Sequence, residues 1–132
     1  MAQAAMRKET MTLVTASGRH EFLVEFAESR ADKAMGLMFR QELGRRAGMF
    51  FGYAESFEIK MWMKNTYISL DMIFIKKNGV VHRIAQGTEP FSEAVVASEG
   101  KVAAVLEVAA GVADEMGLKA GDRIEHYFFK KE

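Results

Sequence analysis

The sequence predicts a mainly β fold, β-rich α+β, in the form of a small antiparallel barrel or highly curved sheet with two short helices. Three observations carry this. Segments with the two-residue alternation of strands far outnumber those with helical spacing. An Asn78-Gly79 pair sits between two apolar runs, where it supplies the positive backbone dihedrals of a tight hairpin turn. The chain has 132 residues, enough for one core and too few for two.

Taken in order, Thr10–Thr15 and His20–Phe26 alternate around Ala16-Ser17-Gly18-Arg19 and predict an opening hairpin. Ser29, with Asp32 three residues on, resembles a capping box and starts a helix over Arg30–Met38, loosened by Gly36. Gly44–Gly48 is a basic turn, Met49–Tyr53 a short strand and Ala54-Glu55-Ser56 a break. In the next strand Ile59, Met61 and Met63 share one face, and Glu58, Lys60, Trp62 and Lys64 the other. Leu70–Lys76 and Val80–Gln86 form the hairpin around Asn78-Gly79, and Gly87–Gly100, with the single proline, reads as a long irregular connection. Val102–Ala109 is a buried strand, Gly111–Met116 a helix stopped at Gly117, and Lys119–Asp122 a turn into a last strand, Arg123–Phe129. Residues 10–132 thus form one globular domain, preceded by a tail over residues 1–9.

Composition excludes several classes of function. Eighteen basic and eighteen acidic residues cancel, which removes the electrostatic case for a nucleic-acid partner. Without cysteine there is no disulfide, thiolate nucleophile or cysteine zinc site. Apolar runs are too short to span a bilayer, so membrane insertion is not expected. Ala2-Gln3-Ala4 has the small-x-small form of a signal-cleavage site, and residues 1–9 read either as a processing remnant or as an ordinary disordered tail; a periplasmic or exported location is favoured over a cytoplasmic one.

Four stretches resemble a known family: Gly36-Leu37-Met38-Phe39-Arg40; Gly48-Met49-Phe50-Phe51; Trp62-Met63-Lys64-Asn65-Thr66 with Leu70-Asp71; and Val105-Leu106-Glu107 followed by Gly111, Gly117 and Gly121-Asp122. Together they make the chain similar to the family known as domain of unknown function 192. Ser69 departs from its usual Pro, and Phe50-Phe51 from the commoner Leu-Phe. The resemblance implies a small bacterial or archaeal domain with no assigned reaction, and it supports the fold rather than a mechanism.

The chemistry concentrates on a few polar residues in apolar strands. Glu107 lies in an otherwise wholly apolar run and must be paired, hydrogen-bonded or protonated if buried. It reads as a pocket acid or base with a raised pKa, or as a structural partner of a Lys or Arg. Asp71, between Leu70 and Met72, either joins Glu107 as an acid and base pair or accepts backbone N–H bonds from the Asn65–Ser69 turn. Lys64, Asn65 and Thr66 offer an ammonium, an amide and a hydroxyl that suit a carboxylate, phosphate or sugar, or else turn chemistry with Lys64 neutralising a carboxylate. Trp62 could stack on a ligand or anchor the core, and Arg40 joins this candidate set. Met61, Met63 and His82 have the ligand types of a cuprous site, but ten Met and ten Phe explain them better as flexible core filler. No phosphate loop, dinucleotide fingerprint or serine elbow is present, so no cofactor or metal is expected. The sequence therefore points first to a module binding a small molecule or protein, in the cell envelope, around Trp62, Lys64, Asn65, Thr66, Asp71 and Glu107. A hydrolase using Asp71 and Glu107, and a purely architectural polar network, are the alternatives.

Overall fold

In a computed structural model, which describes residues 5–129, the chain is mostly β, with a seven-stranded sheet curled into a half-barrel and two short helices. The strands are β1 (Lys8–Thr15), β2 (Gly18–Phe26), β3 (Ala47–Met61), β4 (Leu70–Ile75), β5 (Val81–Ala85), β6 (Val96–Ala109) and β7 (Arg123–Glu125); the helices are α1 (Arg30–Met35) and α2 (Val112–Met116). The spatial order is β5-β4-β6-β3-β2-β1-β7. Every neighbouring pair is antiparallel except β2 and β3, which run parallel. The crossover that parallel pairing demands is the α1 segment and the basic turn after it.

The two edges of the sheet meet at one place. Val80 bridges Arg123, and the Gly79 carbonyl accepts the Ile124 N–H at 2.8 Å. Gly79 has φ +89° there, and a Cβ on it would lie 2.8 Å from the Ile124 carbonyl oxygen, so turn and closure both require glycine.

Alternation along the strands splits the apolar residues between the two sheet faces. Phe50, Ile73, Ile75, Leu106 and Val108 join β1, β2 and α2 in one core. Met49, Phe51, Leu70, Met72, Phe74 and Val105 belong to a second core on the other face, with Leu37 and Met63 packed in from the connections.

Several boundaries differ from expectation, each for a local reason. β1 begins at Lys8, paired with Glu25, so the predicted tail loses its last residues to the sheet; residues 1–4, with the candidate cleavage motif, lie outside the described residues. α1 stops at Gly36, whose φ of 51° and N–H bond to the Asp32 carbonyl end it before Met38. Its start is as predicted, since the Ser29 hydroxyl accepts the Asp32 N–H at 3.0 Å. The break at Ala54-Glu55-Ser56 is a bulge inside one long strand, where β3 advances from Gly52 to Phe57 while β6 moves only from Ala104 to Val102. A second bulge over Ser98–Gly100 lets β6 start at Val96, within the stretch expected to be irregular. The last strand ends at Glu125, with His126–Phe129 continuing as a turn.

Candidate functional site

Asp71 and Glu107 lie on adjacent strands but on opposite faces of the sheet. β4 and β6 pair Asp71 with Val108 and Met72 with Glu107, so the two carboxylates are one register step apart and point opposite ways. The acid and base pair considered from sequence is therefore not assembled.

Asp71 is buried, and backbone donors occupy both its oxygens. Oδ1 accepts the Gly87 N–H at 2.9 Å; Oδ2 accepts the Gly111 and Ala113 N–H groups, each at 3.0 Å. These last two open α2, whose N-cap residue Gly111 has no side chain with which to cap it. Asp71 caps that helix from a neighbouring strand, so its donors are Gly87 and α2 rather than the Asn65–Ser69 turn.

Glu107 has a different environment. It is 4% exposed, and its carboxyl has no hydrogen-bond or ion-pair partner among the described residues. Burial alone pushes its pKa up from 4.5 to about 8, so the group is mostly protonated at neutral pH. It forms part of the floor of a cleft of about 600 Å³. Phe51, Leu37 and Leu70 are the buried apolar lining; Met35, Met38, Tyr53 and Met61 are the half-buried lining above them. Burial and the Glu107 carboxyl both raise the Tyr53 pKa, which keeps its hydroxyl protonated as well.

The charged residues of the exposed and half-buried lining, which also includes Ala34 and Trp62, are cationic and form the mouth of the cleft. Arg30, Lys33, Lys60 and Lys64 all line it, and Glu107 is the one acidic residue among the lining side chains. The Lys64 ammonium lies 5.1 Å from the centre of the Trp62 ring, and that of Lys33 lies 5.1 Å from the Tyr53 ring. Lys64 thus makes no ion pair with Glu107 or Asp71 among the described residues, contrary to one expectation.

The remaining predicted residues separate into lining and support. Trp62, Lys64, Thr66 and Glu107 line the cleft; Asn65, Asp71 and Arg40 do not. Asn65 has φ +55°, and its carbonyl accepts the Phe39 N–H at 2.9 Å while the Thr66 carbonyl accepts that of Phe91 at 3.1 Å. The Lys-Asn-Thr turn therefore ties together two other loops beside the cleft, and the Thr66 hydroxyl donates to the Lys64 carbonyl. Arg40 makes a two-pronged ion pair with Glu25, at 2.9 and 3.0 Å, which holds the Glu25 carboxyl below its usual range. Of the residues weighed as copper ligands, Met63 is a core residue with Met61 packed against that core, and the His82 Nε2 is hydrogen-bonded to the Glu99 carbonyl oxygen at 2.9 Å.

Sequence reasoning missed the contribution of α1. Arg30, Lys33, Ala34 and Met35 form one wall of the cleft, although α1 has no buried residue of its own. The available signal was Arg30 and Lys33 at helical spacing, but nothing in the sequence says against which face so short a helix lies.

A family model described as uncharacterized ACR, DUF192, matches residues 12–126. Among solved structures, a protein from Sinorhizobium meliloti 1021, proposed to be a transcription regulator, is 39% identical with a TM-score of 0.92, covering 96% of this chain and 99% of that one. A protein of unknown function from Novosphingobium aromaticivorans DSM 12444 is 37% identical with a TM-score of 0.89, covering 96% and 94%. No curated protein matches.

Proposed function

The chain belongs to the uncharacterised family DUF192, and we propose that it serves as a binding module that takes a small molecule with an apolar body into the cleft above Glu107. The observation that carries this reading is the Glu107 carboxyl itself, buried at the bottom of an apolar cleft with no protein partner among the described residues. A buried polar group left unsatisfied costs stability, and a ligand atom that hydrogen-bonds it would offset that cost. Apolar walls with a few convergent polar groups are what small-molecule sites generally show. Balanced charge supports a small molecule over a nucleic acid as the partner.

The test uses calorimetric titration with a panel of apolar alcohols, acids and aromatic compounds against the parent chain and Ala34→Phe. Ala34 is an exposed residue of α1 that lines the cleft, so a phenyl group there blocks access without disturbing a core. Binding by the parent and its loss in the variant are expected. Silence across the panel, or equal binding by both proteins, would overturn the reading.

A second reading applies to Asp71 alone. Its three backbone hydrogen bonds favour an architectural role, joining β4 to the Gly87 loop and to α2.

A further inference from the structure

The charge distribution around the cleft goes further than its shape. All four fixed charges of its exposed and half-buried lining are positive, on two separate elements: Arg30 and Lys33 on α1, Lys60 and Lys64 at the end of β3 and just beyond. Arg30 and Lys60 are exposed and form no ion pair among the described residues, which is notable in a chain whose charges balance overall. Elsewhere arginines are matched locally, as in Arg40 with Glu25, Arg19 with Glu125 and Arg83 with Glu99. Cations held near one another without counter-charges repel, and a ligand anion relieves that repulsion.

We propose that the ligand is an amphiphile whose acidic head group, a carboxylate or a phosphate, sits among Arg30, Lys60 and Lys64 while its apolar body lies against Leu37, Phe51 and Leu70. This rests on the ligand-binding reading above and adds the chemistry of the head group. The opposite polarity, a cationic head group beside Glu107, is disfavoured because it would pass four positive side chains and leave Arg30 and Lys60 without a counter-charge. The Lys64 ammonium, held over the Trp62 ring, gives that ring a view of the head group.

Trp62 is the only tryptophan, so its emission reports the cleft directly. The experiment titrates the full chain with decanoate, decyl phosphate, decanol and decyltrimethylammonium below their micellar concentrations, and with acetate and inorganic phosphate. Decanoate or decyl phosphate should bind at least about tenfold more tightly than decanol, and the ammonium compound more weakly still. Whichever acidic compound binds more tightly assigns the head group. Arg30→Gln combined with Lys60→Gln should remove about tenfold of the affinity for the acidic compounds and weaken that for decanol by much less. Decanol binding as tightly as decanoate, or inorganic phosphate as tightly as decyl phosphate, would overturn the proposed head group or body while leaving a ligand-binding cleft. Failure of every decyl compound would overturn the ligand-binding reading with it.

Discussion

Replacing Glu107 by Gln keeps the size and hydrogen-bonding capacity of the protonated acid while removing its ability to ionise. In the parent chain the carboxyl has a pKa near 8, against an ordinary value of 4.5. The folded chain therefore holds this proton more tightly than the unfolded chain does. Linkage then fixes the sign: the contribution is fully present below about pH 4.5 and is lost as pH rises towards about 8, beyond which the folded carboxyl ionises too. At 1.36 kcal/mol for each pKa unit, the ceiling on this loss is about 5 kcal/mol. A carboxyl at the floor of an open cleft can draw in water, so a loss of about 2–4 kcal/mol is expected. Urea unfolding of both proteins between about pH 4 and pH 9 measures it. Parent and Glu107→Gln should be nearly equal at the acid end, with the variant more stable by that amount at the alkaline end. Parallel pH profiles would refute the buried, unpartnered acid. A parent that gained stability over the variant with rising pH would mean that Glu107 ionises against a cation, Lys64 being one candidate among the cleft residues.

Three further outcomes follow from other contacts. Asp71→Ala removes the acceptor of three backbone N–H groups, of which that of Ala113 is buried, and should cost about 2–4 kcal/mol in urea unfolding, whereas Asp71→Asn, which keeps one acceptor oxygen, should cost less; equal, negligible costs would refute the capping role. Gly79→Ala forces a Cβ to 2.8 Å from the Ile124 carbonyl at φ +89° and should cost about 1–3 kcal/mol, with faster amide exchange at Ile124 as the local signature; an unchanged exchange rate would refute the closure at that point. Arg40→Met breaks the half-buried pair with Glu25 and should cost about 1–2 kcal/mol while leaving any ligand affinity intact; a loss of affinity at full stability would return Arg40 to the cleft.

Most of the architecture was legible because it rests on local rules. The two-residue alternation gave the strands, Asn78-Gly79 the central hairpin, and Ser29 with Asp32 the start of α1. What escaped was tertiary in origin. A bulge and a strand break have the same sequence signature, a few polar residues between apolar runs, and only the partner strand decides between them; β6 runs on past Ala54-Glu55-Ser56 and keeps β3 whole. The parallel pairing of β2 with β3 is likewise set by how the α1 segment crosses over. For the site, the sequence could mark Trp62, Lys64, Thr66 and Glu107 as polar or amphipathic residues needing an account, and they do share a cleft. It could not separate Asp71 from Glu107, because facing depends on which β4 residue meets which β6 residue.

That register turns two similar-looking carboxylates into opposites. Both are buried acids in apolar strands, and both oblige the fold to deal with a desolvated charge. On one face the structure supplies three N–H donors to Asp71, and a buried charge so satisfied orders three separate segments: β4, the Gly87 loop and α2. On the other face no donor or cation among the described residues is brought to Glu107, although Lys64 and Lys33 line the same cleft. The ammonium groups of Lys64 and Lys33 lie instead over the rings of Trp62 and Tyr53, and that of Lys33 also donates to the Glu28 carbonyl oxygen at 3.1 Å. Stability alone would favour Gln or Leu at position 107. On the reading proposed above, a carboxyl kept neutral by its surroundings, with cations at the mouth above it, is an arrangement that becomes favourable once a ligand with an acidic head group enters the cleft.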